Sequence, residues 1–374
     1  MKSTELTAKP HYQILDGLRG VAAVMVVTFH IFEALSSSPL DQVINHGYLA
    51  VDFFFVLSGF VIGYAYDDRW NKITVVEFFK RRLVRLHPMV IMGMIIGAVG
   101  FYFQQGALWP IISTIPVWKM LLVMLIGFTI IPLPPSSMDI RGWHEMYPLN
   151  GPGWTLFFEY IANILYAVVV RKFSKTALAI LVFIAACALI HWGVTGGQGD
   201  MIGGWSIEPA QLRIGFTRLM YPFFAGLLLS RTAKLTFIKN AFLWCSLLII
   251  IVLSVPRIAG STHLWMNGLY EALVIIFIFP LIVYIGASGN VKGKYANRLC
   301  KFLGDISYPI YITHYPLIYI YTAWVKNNNV SLENGWPYGL LVLISAIIIA
   351  YACLKFYDEP IRSWLKKKFL AKDV

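Results

Sequence analysis

Two polar residues, Arg19 and His30, stand eleven positions apart in a largely apolar stretch at residues 18–35. On an α-helix eleven residues make roughly three turns plus 20°, so both side chains lie on one face, about 16 Å apart along the axis. An arginine at the centre of a bilayer costs about 2.5–3.5 kcal/mol, and an intramembrane imidazole is also unfavourable. We therefore interpret the pair as part of a functional site; the alternative is a polar contact that only stabilises packing.

Two further arginines, Arg82 and Arg85, lie three residues apart and so share one helical face. They open a predicted membrane span at its cytoplasmic end, near the depth of Arg19. Three guanidinium groups converging there suit a phosphate-rich ligand, because each can bind phosphate through paired hydrogen bonds. The alternative is that Arg82 and Arg85 only orient the helix, as basic residues at cytoplasmic helix ends commonly do.

Two carboxylates fall within predicted spans. Asp52 lies near the outer end of the second span, at a depth comparable with that of His30. A carboxylate beside an imidazole fixes its tautomer and raises its basicity, so Asp52 is a candidate partner of His30. The alternative is an interfacial aspartate that faces water. Glu159 lies about a turn and a half below the outer face, where a carboxylate must be paired or hydrated.

A polar stripe marks the ninth predicted span. Tyr308, Tyr311 and His314 recur every three residues and so follow one another along the helix surface. Tyr311 and His314 are candidates for holding a substrate or relaying protons. The alternative is a network of hydrogen bonds that serves packing alone.

Composition indicates a helical membrane protein. The chain has 374 residues, of which 58% are hydrophobic and only 13% are charged, against about 25% charged in a soluble globule. Runs of about 20 apolar residues recur along nearly the whole length, as in an all-α polytopic integral membrane bundle. The four cysteines are scattered singly, without the spacing of a metal site, and we expect no metal ion. No cleavage site follows the first span, which we expect to remain as a signal anchor.

The basic residues predict the topology. With residues 120–133 as a re-entrant or membrane-dipping segment, 24 of the 31 Lys and Arg residues fall inside, five fall outside, and Arg19 and Arg218 lie within spans. Both termini are then cytoplasmic, and the net charge of +12 reflects orientation against the lipid bilayer and not nucleic acid. The ten predicted spans lie near 15–35, 48–66, 84–103, 154–170, 177–192, 214–230, 241–256, 268–286, 307–325 and 338–357.

Five short blocks follow one another in an order typical of a known family. They are Arg19 with His30 after residues 15–18, the apolar block at 51–60 around Asp52, the pair Arg82 and Arg85, residues 154–159 ending at Glu159, and residues 307–316 with Tyr308, Tyr311 and His314. Together they resemble the acyltransferase 3 family of membrane O-acyltransferases, from about residue 12 to 357. Thr155 stands where the family commonly has serine.

The resemblance implies transfer of an acyl group, usually acetyl, from acyl-CoA to a hydroxyl of a sugar. Typical acceptors are cell-surface or exported polysaccharides and lipid-linked saccharides, in the bacterial cytoplasmic (inner) membrane. We expect one membrane domain over residues 1–374, in the stand-alone form without a fused esterase-like domain. Alternatives are a transporter or flippase for a glycan or lipid, and an acyltransferase for a small acceptor such as a macrolide.

The resemblance also implies residue roles. We expect the phosphates of acyl-CoA (acetyl-CoA) to bind Arg19, Arg82 and Arg85, and His30 to act as general base or transient acyl carrier. Asp52 would orient His30 if the two touch. For Glu159, Tyr311 and His314, substrate binding, proton relay and oxyanion stabilisation all remain open.

Overall fold

The computed structural model describes Lys9 and residues 11–135, 138–291 and 293–370, and in these ranges it is all-helical. The fourteen α-helices are α1 (Gln13–Leu35), α2 (Ala50–Tyr66), α3 (Val75–Gly100), α4 (Val117–Gly127), α5 (Gly153–Val168), α6 (Lys175–Thr195), α7 (Pro209–Thr232), α8 (Ala241–Ser254), α9 (Leu264–Leu273), α10 (Phe279–Ala287), α11 (Lys294–Thr313), α12 (Tyr315–Asn327), α13 (Leu332–Cys353) and α14 (Glu359–Phe369). Single π-helical turns join α9 to α10 and α13 to α14. The predicted fold class, a polytopic helical membrane protein, is confirmed.

Seven helices within the described ranges are long and apolar enough to cross a membrane: α1, α2, α3, α6, α7, the joined α9 and α10, and the joined α13 and α14. The other three predicted spans fall on shorter elements. α5 has 16 residues and α8 has 14, while the predicted span 307–325 is broken at His314, between α11 and α12. Pro316 opens α12 and cannot donate a backbone hydrogen bond to α11, which explains the break.

The connecting segments gather at two ends of the bundle. At one, here called the basic end, Arg231 pairs with Asp67 at 2.6 Å and donates to the carbonyl of Phe173. At the other, the opposite end, Lys326 donates to the carbonyl of Ser36. Segments predicted to be cytoplasmic lie at the basic end. The termini themselves, residues 1–8 and 371–374, lie outside the described residues, so their location stays a prediction.

Helix α3 begins nine residues before the predicted span at 84–103. Thr74 caps it by accepting a hydrogen bond from the backbone N–H of Glu77, whose carboxylate accepts from the N–H of Thr74 in return. This capping box starts the helix in a segment that is too polar for hydropathy to include in the predicted span. As a result Arg82 and Arg85 lie two to three turns inside the helix, not at its first residues.

Helix α4 lies in the region predicted to dip into the membrane at 120–133. Its 11 residues extend about 16 Å, roughly half the hydrocarbon thickness of a bilayer, so this helix cannot cross alone. Residues 128–133 that follow are not helical.

Close helix crossings bring the site-bearing helices together. A Cβ on Gly59 of α2 would lie 1.8 Å from the carbonyl oxygen of Phe223 in α7, and one on Gly20 of α1 would lie 2.2 Å from the carbonyl oxygen of Leu303 in α11. Only glycine permits backbones to approach so closely, as is common between membrane helices. The second crossing sets α1, with Arg19 and His30, directly against α11.

Candidate functional site

A cavity of about 570 Å³ extends into the bundle from the basic end. Helices α1, α2, α3, α5, α11 and α14 supply most of its wall. Its polar lining consists of His11, Gln13, Asp16, Arg19, Ser58, Arg82, Arg85, Thr155, Glu159, Lys301, Asp305, Ser307, Tyr308, Tyr311, Asp358, Glu359 and Arg362. The three predicted arginines therefore share one cavity with Glu159 and Tyr311.

Arg19 lies near the mouth and is held on two sides. Its Nη2 lies 2.9 Å from Oδ1 of Asp16, and its Nε donates to Oγ of Ser307 at 2.8 Å. Asp16 in turn lies 2.7 Å from Nε2 of His11, and this hydrogen bond raises the pKa of His11 above its usual range. Arg19 is thus preorganised, and part of its charge is balanced.

Arg82 and Glu159 form an ion pair on the cavity wall, and Ser58 donates to the same carboxylate oxygen at 3.1 Å. Arg82 is nearly fully buried, whereas Glu159 keeps 19% of its side chain exposed. The sequence required Glu159 to be paired or hydrated, and here it is paired with a cation and borders the cavity. Because Glu159 neutralises its charge, Arg82 would bind a second anion more weakly than an unpaired arginine.

Arg85 differs from the other two arginines. It lines the cavity, its side chain is exposed there, and it makes no ion pair with any residue in the described ranges. An unneutralised guanidinium in an enclosed space attracts anions strongly, because water screens it poorly. Of the three arginines, Arg85 is therefore the one that we expect to attract an anion most strongly.

The deep end of the cavity is closed by a layer of side chains. The hydroxyl of Tyr311 donates to Oγ1 of Thr155 at 3.0 Å, and the ring of Phe54 stands edge-on to Tyr311 with centroids 5.3 Å apart. Behind them lies His314, fully buried, whose Nδ1 contacts the carbonyl oxygens of Ile310 at 3.0 Å and Tyr311 at 2.9 Å. Its Nε2 has no hydrogen-bond partner in the described part of the chain.

His30 lies beyond this layer and does not line the cavity. Its ring stacks on His314 with centroids 5.8 Å apart and meets Tyr315 edge-on at 4.8 Å. Its Nδ1 lies 2.6 Å from Oε2 of Glu33. A carboxylate can only accept, so in the neutral imidazole this contact favours the tautomer with the proton on Nδ1 and the free electron pair on Nε2. His30 is thus separated from the cavity by the rings of Tyr311 and His314.

The expected contact between Asp52 and His30 is not formed. Asp52 instead pairs with Arg218, with Oδ2 2.6 Å from Nη2, and both side chains are buried. A cation within a membrane span needs a counter-ion, and Asp52 is the counter-ion of Arg218. The structure therefore places Asp52 in a contact between α2 and α7 and not beside the imidazole.

Three polar residues of this region were not predicted from the sequence: Glu33, Lys301 and Arg362. Glu33 could have been found, because residues three apart on a helix are neighbours. Lys301 and Arg362 border the cavity but look like ordinary basic residues near helix ends. Within the described ranges no three or more His, Cys, Asp or Glu side chains are grouped to hold a metal ion.

Comparison with known proteins adds an independent finding. A family model described as an acyltransferase domain matches residues 12–355. A protein named protein 2 in the picA locus of Rhizobium radiobacter is 32% identical over 41% of this chain and 80% of its own length. Peptidoglycan O-acetyltransferase OatA of Listeria monocytogenes is 23% identical, covering 97% of this chain and 57% of its own length. O-acetyltransferase OatA of Staphylococcus aureus is 24% identical, covering 96% of this chain and 58% of its own length.

This chain thus spans just over half the length of the two O-acetyltransferases. No solved structure matches it. Because the family model covers most of the residues, including every block singled out in the sequence, the chain belongs to the acyltransferase 3 family.

Proposed function

We propose that this protein is a membrane O-acyltransferase that moves an acetyl group from cytoplasmic acetyl-CoA to a hydroxyl of a glycan, in the cytoplasmic membrane of a bacterium. One observation carries the proposal: a cavity with an unpaired cation leads from the basic end to Tyr311, from which the stacked rings of His314 and His30 continue into the bundle. The names of the two O-acetyltransferases similar to it, one of them acting on peptidoglycan, support acetyl as the group and a polysaccharide as the acceptor.

The donor enters from the basic end. Coenzyme A carries phosphates, and Arg85 with Arg19 supplies guanidinium groups for them, while Lys301 adds positive charge to the cavity wall. Arg362 also lines the cavity, but it is paired with Asp358 at 3.0 Å. Arg82 supports this end mainly by holding Glu159. The pantetheine arm then follows the apolar part of the wall toward Thr155 and Tyr311.

The chemical step takes place at His30. Nε2 removes the proton from the acceptor hydroxyl, and the hydroxyl oxygen attacks the carbonyl carbon of the thioester. The carbon–sulfur bond then breaks, and the coenzyme A thiolate takes the proton from the imidazolium. General-base action of this kind contributes about 10²–10⁴-fold. Tyr311 and His314 lie between the cavity and His30, so they bind the acceptor or pass the proton. A transient acyl-histidine would use the same nitrogen.

The test is label transfer. Purified protein in lipid vesicles, given radiolabelled acetyl-CoA and a bacterial glycan pool, is expected to label glycan. His30→Ala should lower the rate at least about 100-fold, as expected when a general base is lost. His191→Ala, an exposed histidine of α6, is the matched control and should retain wild-type activity. Full activity of His30→Ala contradicts the proposal, and glycan movement without label transfer would favour a transporter.

A further inference from the structure

We propose that Glu33 is the positioning residue of His30: its carboxylate fixes the imidazole with Nε2 as the free base and stabilises the imidazolium formed during transfer. This inference rests on the proposed function and deepens it. Neither the family resemblance nor the relatives assign a role to this position.

Three contacts define the orientation of the ring. The carboxylate of Glu33 holds Nδ1 at 2.6 Å, one helical turn further along α1. Tyr315 and His314 of the neighbouring helix segment pack against the ring. With one nitrogen bound and the ring packed, the second nitrogen has a defined direction, which proton abstraction requires.

The location of Glu33 argues against a merely structural role. Glu33 lies in the last turn of α1, which ends at Leu35. The carboxyl end of a helix carries partial negative charge, so a carboxylate there is unfavourable and lysine or arginine is preferred. Within the described part of the chain, His30 is the only partner of the Glu33 carboxylate. The Glu33 carboxylate therefore lowers the stability of α1, and the interaction that compensates for this is its contact with the imidazole of His30.

Two buried carboxylates near this end of the bundle are engaged elsewhere. Asp52 is bound to Arg218, and Glu145 lies against Arg141 and the hydroxyl of Tyr319. Neither is free to take over if Glu33 is removed. Because 48% of the Glu33 side chain is exposed, a small carboxylate from solution can reach its place once it is truncated.

The experiment compares kcat and the donor KM of wild type, Glu33→Ala, Glu33→Gln and Glu333→Ala. We expect Glu33→Ala to lose about 10–100-fold in kcat with the donor KM within about twofold, since donor binding takes place at the basic end. Glu33→Gln keeps an acceptor oxygen without the charge, so its kcat should lie between that of wild type and that of Glu33→Ala. Added formate should restore part of the kcat of Glu33→Ala and none of that of His30→Ala. Glu333→Ala, an exposed glutamate at the same end of the bundle, is the matched control and should behave as wild type.

Two results would overturn the inference: a kcat of Glu33→Ala within twofold of wild type, or a loss that formate does not reverse. The isosteric Glu33→Gln variant guards against misfolding, because it preserves size and shape. Failure here is distinguishable from failure of the proposed function. If wild type transfers label and His30→Ala does not, the function stands whatever Glu33 does, whereas an inactive wild type or an active His30→Ala defeats the function itself.

Discussion

At the scale of single residues, three arginines that look equivalent in the sequence have different electrostatic surroundings. Arg19 is bound by Asp16 and Arg82 by Glu159, while Arg85 has no carboxylate partner in the described ranges. An anion that displaces a carboxylate gains less than one that meets a free guanidinium. Under the proposed function, we therefore expect donor binding to depend more on Arg85 than on Arg19 or Arg82.

Substitution of Arg85 tests this difference. A charge-assisted hydrogen bond contributes about 1.5–3 kcal/mol, so Arg85→Gln should raise the donor KM about 10–100-fold with a smaller change in kcat. Arg298→Gln, an exposed arginine of α11 that does not line the cavity, serves as the control. Steady-state kinetics with acetyl-CoA as the varied substrate provide the measurement. An unchanged donor KM in Arg85→Gln would show that the phosphates bind elsewhere.

Much of the site could be predicted because unusual residues in apolar helices are conspicuous. Arg19, Arg82, Arg85, Glu159 and Tyr311 were singled out from type and depth, and the structure lines one cavity with them. Their pairing was less predictable. Nothing in the local sequence joins Asp52 to Arg218, which is 166 positions away, and a glutamate in the last turn of α1 resembles an ordinary hydrated residue.

At the scale of helices, the site depends on two close crossings. Gly20 sets α1 against α11, and Gly59 sets α2 against α7, where the Asp52–Arg218 pair also connects the two helices. Hydropathy located these helices but not their exact ends: a capping box extends α3, and the break at His314 divides the ninth span. Helix caps and breaks depend on single hydrogen bonds, and a hydropathy value averaged over many residues contains no information about them.

A methyl group at the α2–α7 crossing should separate the helices. In Gly59→Ala the new Cβ would lie 1.8 Å from a backbone oxygen that cannot rotate away, so α2 must shift. Overpacking of this kind costs about 1–3 kcal/mol, and the thermal unfolding midpoint in detergent should fall. Gly197→Ala, where nothing lies within 4 Å of the added carbon, should leave the midpoint unchanged. Equal midpoints for the two variants would mean that the crossing is looser than described.

At the scale of the whole molecule, the proposed function gives the two ends of the bundle different roles. The arginine-lined cavity extends from the basic end, whereas His30 and the half-exposed Glu33 lie near the opposite end. A donor made in the cytoplasm and an acceptor presented outside could then meet inside the bundle without either crossing the membrane. This arrangement requires the basic end to face the cytoplasm, in agreement with the distribution of Lys and Arg.

Cysteine labelling tests that orientation. The background has the four native cysteines replaced by alanine. Glu333→Cys then lies at the same end of the bundle as His30, and Arg298→Cys lies at the basic end, where the arginine-lined cavity opens. Both positions are exposed. A membrane-impermeant maleimide added to intact spheroplasts should label Glu333→Cys at once and Arg298→Cys only after permeabilisation. The cysteine-free parent must retain label transfer from acetyl-CoA. The reverse order of labelling would place the arginine-lined cavity outside the cell, where no cytoplasmic thioester can reach it, and a donor of another kind would then be required.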